Sequence, residues 1–202
     1  MRDIIRRRFE WNLERVRNLV EIYRRGRGTG GRGRRAVGDA DVLRSATVLL
    51  HAALEEVFRS TALWKYPAAQ EDVLNSVPLV GSESGRPEKF FLGRLAAHRE
   101  KGVQDLIEES VQSYVNAFNV NNTGDIAAFA RTVAVNISGI NGEFPTLDEL
   151  FKRRHHIVHQ GDRNDEPGQG NHRARSISEW RVNRWIEAVN RLGNEFLDRV
   201  PE

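Results

Sequence analysis

Ser176-Ile177-Ser178-Glu179-Trp180-Arg181-Val182-Asn183-Arg184-Trp185-Ile186-Glu187-Ala188-Val189-Asn190-Arg191-Leu192-Gly193-Asn194-Glu195-Phe196 is the stretch whose reading decides the fold. Ser176-x-x-Glu179 has the form of a capping box, which satisfies orphan N–H groups and opens a helix. Val182, Trp185, Val189, Leu192 and Phe196 then follow at spacings of 3, 4, 3 and 4, a heptad-like apolar seam on one face. A helix of this kind needs a partner helix.

Working outward, the same spacing recurs at the other end of the chain. Ile5, Phe9, Leu13, Val16, Val20 and Tyr23 form one stripe, so residues 1–25 read as a basic N-terminal helix. Residues 26–38 are Gly- and Arg-rich and read as a flexible loop. Asp39 or Asp41 could cap a second helix with Leu43, Ala46, Leu50, Ala53 and Val57 on its core face, running to about Trp64 before Pro67. From Pro67 to Pro87 the pattern weakens into a long excursion with one short helix around Glu71–Asn75. Helices are expected again near Glu88–Ala97 and from Gly102, the second with Leu106, Ile107, Val111, Tyr114 and Phe118 on its face. Asn119–Gly124 is turn chemistry, and Asp125–Val135 a short apolar helix. Thr146-Leu147-Asp148-Glu149 reads as a second capping box, opening a helix through Phe151 and Ile157. No segment shows sustained period-2 alternation, so the expected class is all-α. The expected architecture is an antiparallel bundle with a long loop excursion and an Arg-rich N-terminal helix, its main helical domain covering 39–202.

Composition removes several function classes. The 202 residues contain no cysteine, which excludes disulfides, zinc-thiolate sites and thiol nucleophiles and fits a reducing cytoplasm. No apolar run is long enough for a membrane span, and the charged start lacks the apolar stretch of a secretory signal. The net charge of +3 hides an asymmetry: residues 1–35 hold twelve Arg against four acidic residues, whereas the remainder holds 19 basic against 24 acidic. A basic segment on a mildly acidic body points to a polyanion partner. Gly26, Gly28 and Gly31 match G-x-G-x-x-G formally, but a helix precedes them where a dinucleotide site needs a strand. Arg27, Arg32, Arg34 and Arg35 are therefore read as candidate RNA phosphate contacts, with a plain solvated loop as the alternative.

The densest chemical signal is Lys152-Arg153-Arg154-His155-His156-Ile157-Val158-His159-Gln160-Gly161-Asp162, which holds three of the six histidines. On a helix His155 and His159 share a face, while Arg154 and His159 lie about 140° apart. Imidazole can accept and return a proton near neutral pH, and a guanidinium can hold a phosphate and stabilise its growing charge. Those two groups suffice to cleave RNA without a metal, because RNA carries its own nucleophile, the 2′-OH. A solvated basic face is the alternative for the same residues. A zinc clasp by His155, His159 and Asp162 is disfavoured, since His156 stands where the zincin pattern needs Glu.

Arg154-His155-x-x-x-His159 resembles the R-x4–6-H motif of the HEPN superfamily, with a polar residue directly after the Arg. Glu55-x-x-x-Arg59 resembles the E-x3-K/R element of an earlier HEPN helix, and "NVNNTGDIAAFARTVAV" is similar to the RiboL-PSP branch. The resemblance implies an α-helical homodimer whose motif helices face each other to form one composite, metal-independent ribonuclease site with no cofactor. It implies Arg154 as the phosphate anchor, His159 as general acid/base, His155 in the family's polar position, and Glu55 and Arg59 as supporting residues. It further implies a bacterial defence or toxin-like role with an antitoxin or other restraining partner. Many HEPN domains are instead non-catalytic RNA- or protein-binding modules, which is the alternative function carried forward.

Overall fold

The computed structural model describes residues 1–27, 37–81, 92–163 and 174–202, and every regular element among them is helical. The α-helices are α1 (Arg2–Arg27), α2 (Val37–Lys65), α3 (Glu71–Leu74), α4 (Val103–Asn116), α5 (Thr123–Thr132), α6 (Phe144–Gln160) and α7 (Glu179–Arg199). The only β pairing among the described residues is an isolated bridge between Arg163 and Ala174. No helix among them is long and apolar enough to cross a membrane. The fold is all-α. The chain divides into two compact units, one of Met1–Val57 with Val120–Glu202, the other of Phe58–Asn119.

In the first unit the three apolar stripes read from the sequence are all buried. Ile5, Phe9, Leu13, Val16, Val20 and Tyr23 of α1, Leu43, Ala46, Leu50, Ala53 and Val57 of α2, and Val182, Trp185, Val189, Leu192 and Phe196 of α7 form its core. α1 and α7 are antiparallel, and polar contacts fix their register at both ends. Arg2 donates to the Val200 carbonyl at 2.5 Å, and Arg6 donates to Asn194 at 3.0 Å and Asp198 at 2.7 Å. At the far end Arg24 donates to Glu179 at 2.6 Å. Between them Gly193 lets the helices approach: a Cβ there would lie 2.4 Å from the tip of the buried Phe9 ring.

Helix starts depart from the sequence reading. α6 begins at Phe144, because a 3-10 turn at Asn141–Glu143 runs into it and Pro145 suits a first helical turn. Thr146 therefore sits inside the helix and accepts from Arg184 at 3.1 Å instead of capping. Asp148, inside the same supposed box, accepts from Thr123 N and Oγ1. α7 is capped by Ser178, which accepts from Arg181 N, and not by Ser176. α5 has the reciprocal box: Asn122 accepts from Asp125 N, while Asp125 accepts from Asn121 N and Asn122 N. α1 extends to Arg27 and α2 starts at Val37; the rest of the Gly/Arg segment lies outside the described residues.

The second unit contains the end of α2, a 3-10 turn at Tyr66–Ala68, α3, a 3-10 segment at Leu92–His98, and α4. The helix expected near Glu88–Ala97 is thus a 3-10 segment where it is described. Tyr66 and Tyr114 stack at 6.3 Å, and Ser110 donates to Leu106 O while accepting from Val80 N. Of the α4 face, Val111 and Val115 are buried, whereas Leu106 and Ile107 are half-buried.

Gly193→Ala tests the close approach of α1 and α7. Alanine is the better helix former by about 1 kcal/mol, yet crowding of Phe9 in a closed core costs about 1–3 kcal/mol. Thermal or urea unfolding should show a net loss of stability. An unchanged or raised midpoint would contradict the packing described.

Candidate active site

α6 carries the motif, and its position follows from its apolar residues. Leu147, Leu150 and Phe151 are buried, which leaves Arg154 half-buried at the edge of the core and turns His155 and His159 outward. His155 and His159 do share a face, with ring centroids 4.7 Å apart, and both are exposed. His156, half-buried, pairs with Gln160 at 2.5 Å. Ile157 is half-buried and Val158 is exposed.

Arg154 is the notable member of the set. Its Nε is buried and has no hydrogen-bond partner. Its charge helps to depress the imidazole pKa of His51 on α2. His51 is 3% exposed, its ring meets Phe151 edge-on at 5.3 Å, and its Nε2 lies 2.8 Å from the Val120 carbonyl. A carbonyl only accepts, so Nε2 carries the hydrogen and the neutral ring has a bare Nδ1. That Nδ1 is 3.9 Å from Glu55 Oε2, and Glu55 Oε1 accepts from Val120 N at 3.2 Å. Burial lowers the His51 pKa most; Arg154 acts in the same direction, while the Val120 contact and Glu55 oppose it. The structure thus brings together His51 and Glu55 on α2 and places His155 and His159 side by side on α6, with the charge of Arg154 acting on His51.

Arg59, the other expected supporting residue, belongs to the second unit. There it donates to the Phe118 carbonyl at 3.1 and 2.8 Å. Of the expected phosphate contacts, Arg32, Arg34 and Arg35 lie outside the described residues, and Arg27 is described only as the end of α1.

The sequence reading missed what holds the motif helix in place. α6 ends at Gly161 with φ +59°, and the N–H groups of Gly161 and Asp162 both reach the His156 carbonyl. Asp162, also left-handed at φ +55°, turns its carboxylate inward, where it is 1% exposed. Its Oδ2 accepts from Arg44 Nε and from Arg153 Nη2, each at 2.7 Å. The two guanidinium groups also donate to the Arg175 carbonyl, each at 2.9 Å, and Arg153 reaches Ser176 O at 3.1 Å. Burial pushes the Arg153 pKa down and Asp162 opposes that shift. Asp162, the third ligand of the zinc clasp considered from sequence, is therefore engaged by two cations. No group of three or more His, Cys, Asp or Glu side chains suited to a metal occurs among the described residues. A Gly-Asp pair at a helix end was the available signal, but its partners are set by tertiary packing.

No family model, curated protein or solved structure matches the chain.

Two measurements check this arrangement. Asp162→Asn keeps shape and backbone preference but takes the carboxylate from Arg153 and leaves Arg44 only Asp41, at 2.9 Å, and should cost about 3–5 kcal/mol in urea unfolding. A loss below about 1 kcal/mol would mean that the cluster contributes little. The lowered His51 pKa means that the unfolded chain takes up this proton first as pH falls. Stability contributed by neutral His51 is present above about pH 6.5 and declines below it, towards the lowered folded pKa. His51→Gln should flatten the stability profile below pH 6.5; an unaltered slope would contradict the assignment.

Proposed function

We propose that the protein is a metal-independent endoribonuclease of HEPN type, with Arg154 as phosphate anchor and His159 as general acid/base. The observation that carries this reading is the buried Arg154 Nε without an acceptor, on the helix that also carries the His155–His159 pair; the neighbouring Arg153 shares a vacant Nε, but its Nη2 is already held by Asp162. A buried donor without an acceptor is costly, and an anionic oxygen is the acceptor that best offsets that cost. The adjoining His155–His159 pair supplies proton-transfer groups at the surface where a phosphate would arrive. In the reaction the RNA 2′-OH attacks the neighbouring phosphorus and gives up its proton to a histidine. The P–O5′ bond breaks, the leaving oxygen takes a proton, and the products are a 2′,3′-cyclic phosphate and a 5′-OH end.

The exposure of both histidines supports a site completed by a second surface, since proton transfer and charge stabilisation gain strength when water is excluded. A second copy of the chain is the partner that the family resemblance implies. A restraining antitoxin and a defence role belong to the same proposal. Glu55 serves as a positioning residue through His51 and the Val120 N–H.

Cleavage of a mixed-sequence RNA in the presence of EDTA tests the reading. His159→Ala should lower the rate by about 10²–10⁴-fold, and Arg154→Ala should abolish detectable cleavage. Mixing the two inactive chains should restore part of the activity if one chain supplies the Arg and the other the His. Folded mutants cleaving at the wild-type rate would remove the catalytic assignment. Intact RNA with salt-sensitive binding would favour a non-catalytic binding module.

A further inference from the structure

A second feature of the first unit lies outside the motif helix. Between α1 and α2 runs an open groove of about 390 Å³, lined by Arg8, Trp11 and Arg15 from α1 and by Leu49, Ala52 and Glu56 from α2. Trp11 is 64% exposed, and the Arg15 guanidinium lies over its ring at 5.1 Å. A tryptophan left this open contributes little to the core, whose α1 contacts come from the opposite stripe.

We propose that this groove is a binding site for single-stranded RNA, with Trp11 stacking an unpaired base and Arg8 and Arg15 contacting the flanking phosphates. The inference rests on the reading of RNA as the ligand and assigns it a surface. Arg8 and Arg15 are seven residues apart, about 10 Å along the helix, with the indole between them. A basic track interrupted by an aromatic plane is the arrangement that holds single strands without reading sequence. A duplex keeps its bases stacked and offers none to Trp11. An acidic peptide would satisfy the arginines but not the indole face that Arg15 leaves uncovered, and the apolar area of Trp11, Leu49 and Ala52 is small for a stable protein interface.

The groove residues of α2 and the His51–Glu55 pair lie on different faces of that helix, about 130° apart around its axis.

Binding of a fluorescent 2′-O-methyl 12-mer by the full chain separates this site from the proposed chemistry, because the probe cannot undergo 2′-OH attack. Trp11→Ala should weaken binding by about 5- to 150-fold, with Trp11→Phe keeping most of the affinity. The Arg8→Gln/Arg15→Gln chain should reduce the salt slope by about 1.4. The corresponding 2′-O-methyl duplex should bind at least tenfold more weakly than the single strand. All three side chains are exposed, so circular dichroism should match the wild type. Wild-type affinity in Trp11→Ala, equal affinity for duplex, or no binding by the wild-type chain would each overturn the proposal. Trp11-dependent binding in a chain that cleaves no RNA would uphold the groove and sink the ribonuclease reading. Cleavage that needs His159 while probe binding ignores Trp11 would do the reverse.

Discussion

The carboxylate of Asp162 accepts from Arg44 of α2 and from Arg153 of α6 at the same distance, and both guanidinium groups hold the Arg175 carbonyl ahead of α7. Three parts of the first unit that are remote in sequence are thereby joined at one buried point. Because α2 and α6 run antiparallel, pinning Arg44 to Asp162 also sets how far along α2 the rest of α6 falls. Phe151 then meets His51, and Arg154 follows one turn later at the same neighbourhood. A charged cluster of this kind adds little net stability over a well-packed apolar one, but loss of one member leaves buried charge uncompensated. Its value here is geometric.

Periodicity carried the sequence reading a long way, and its limits are physical. The stripes of α1, α2 and α7 were legible because burial of one helical face leaves a 3- and 4-residue rhythm in the chain. The shared face of His155 and His159 was legible for the same reason. Helix starts were less so: Thr146 and Ser176 have capping chemistry, but Pro145 and Ser178 provide better beginnings nearby. Nothing local to His51 announces that the Phe151 ring, a hundred residues away, meets it edge-on or that the charge of Arg154 acts on it. Arg153 and Arg154 are adjacent and chemically identical. Packing alone gives the Nη2 of one to Asp162; both keep a buried Nε without an acceptor.

The charge asymmetry needs a similar qualification. A count of arginines in the first helix suggests one uniformly positive surface. Several of those charges are already engaged: Arg2, Arg6 and Arg24 tie α1 to α7. Arg25 pairs with Glu21 along the helix. What remains for a polyanion on α1 is more local than composition implies, and lies chiefly where Arg8 and Arg15 flank Trp11.

The notch at Gly193 has a bearing on how the bundle avoids wrong pairings. A regular 3,4 seam is nearly self-similar, so a helix could slide by one turn, about 5.4 Å, and still meet apolar side chains. Displaced in that way, Phe9 would face Val189 or Leu197, both buried and both bulkier than glycine. Only one alignment of α1 on α7 gives the ring somewhere to go, and the same alignment brings Arg6 to Asp198 and Arg24 to Glu179. The ring and the notch work as a key in a keyway: misaligned dockings are excluded by shape before the ion pairs at the helix ends come within reach.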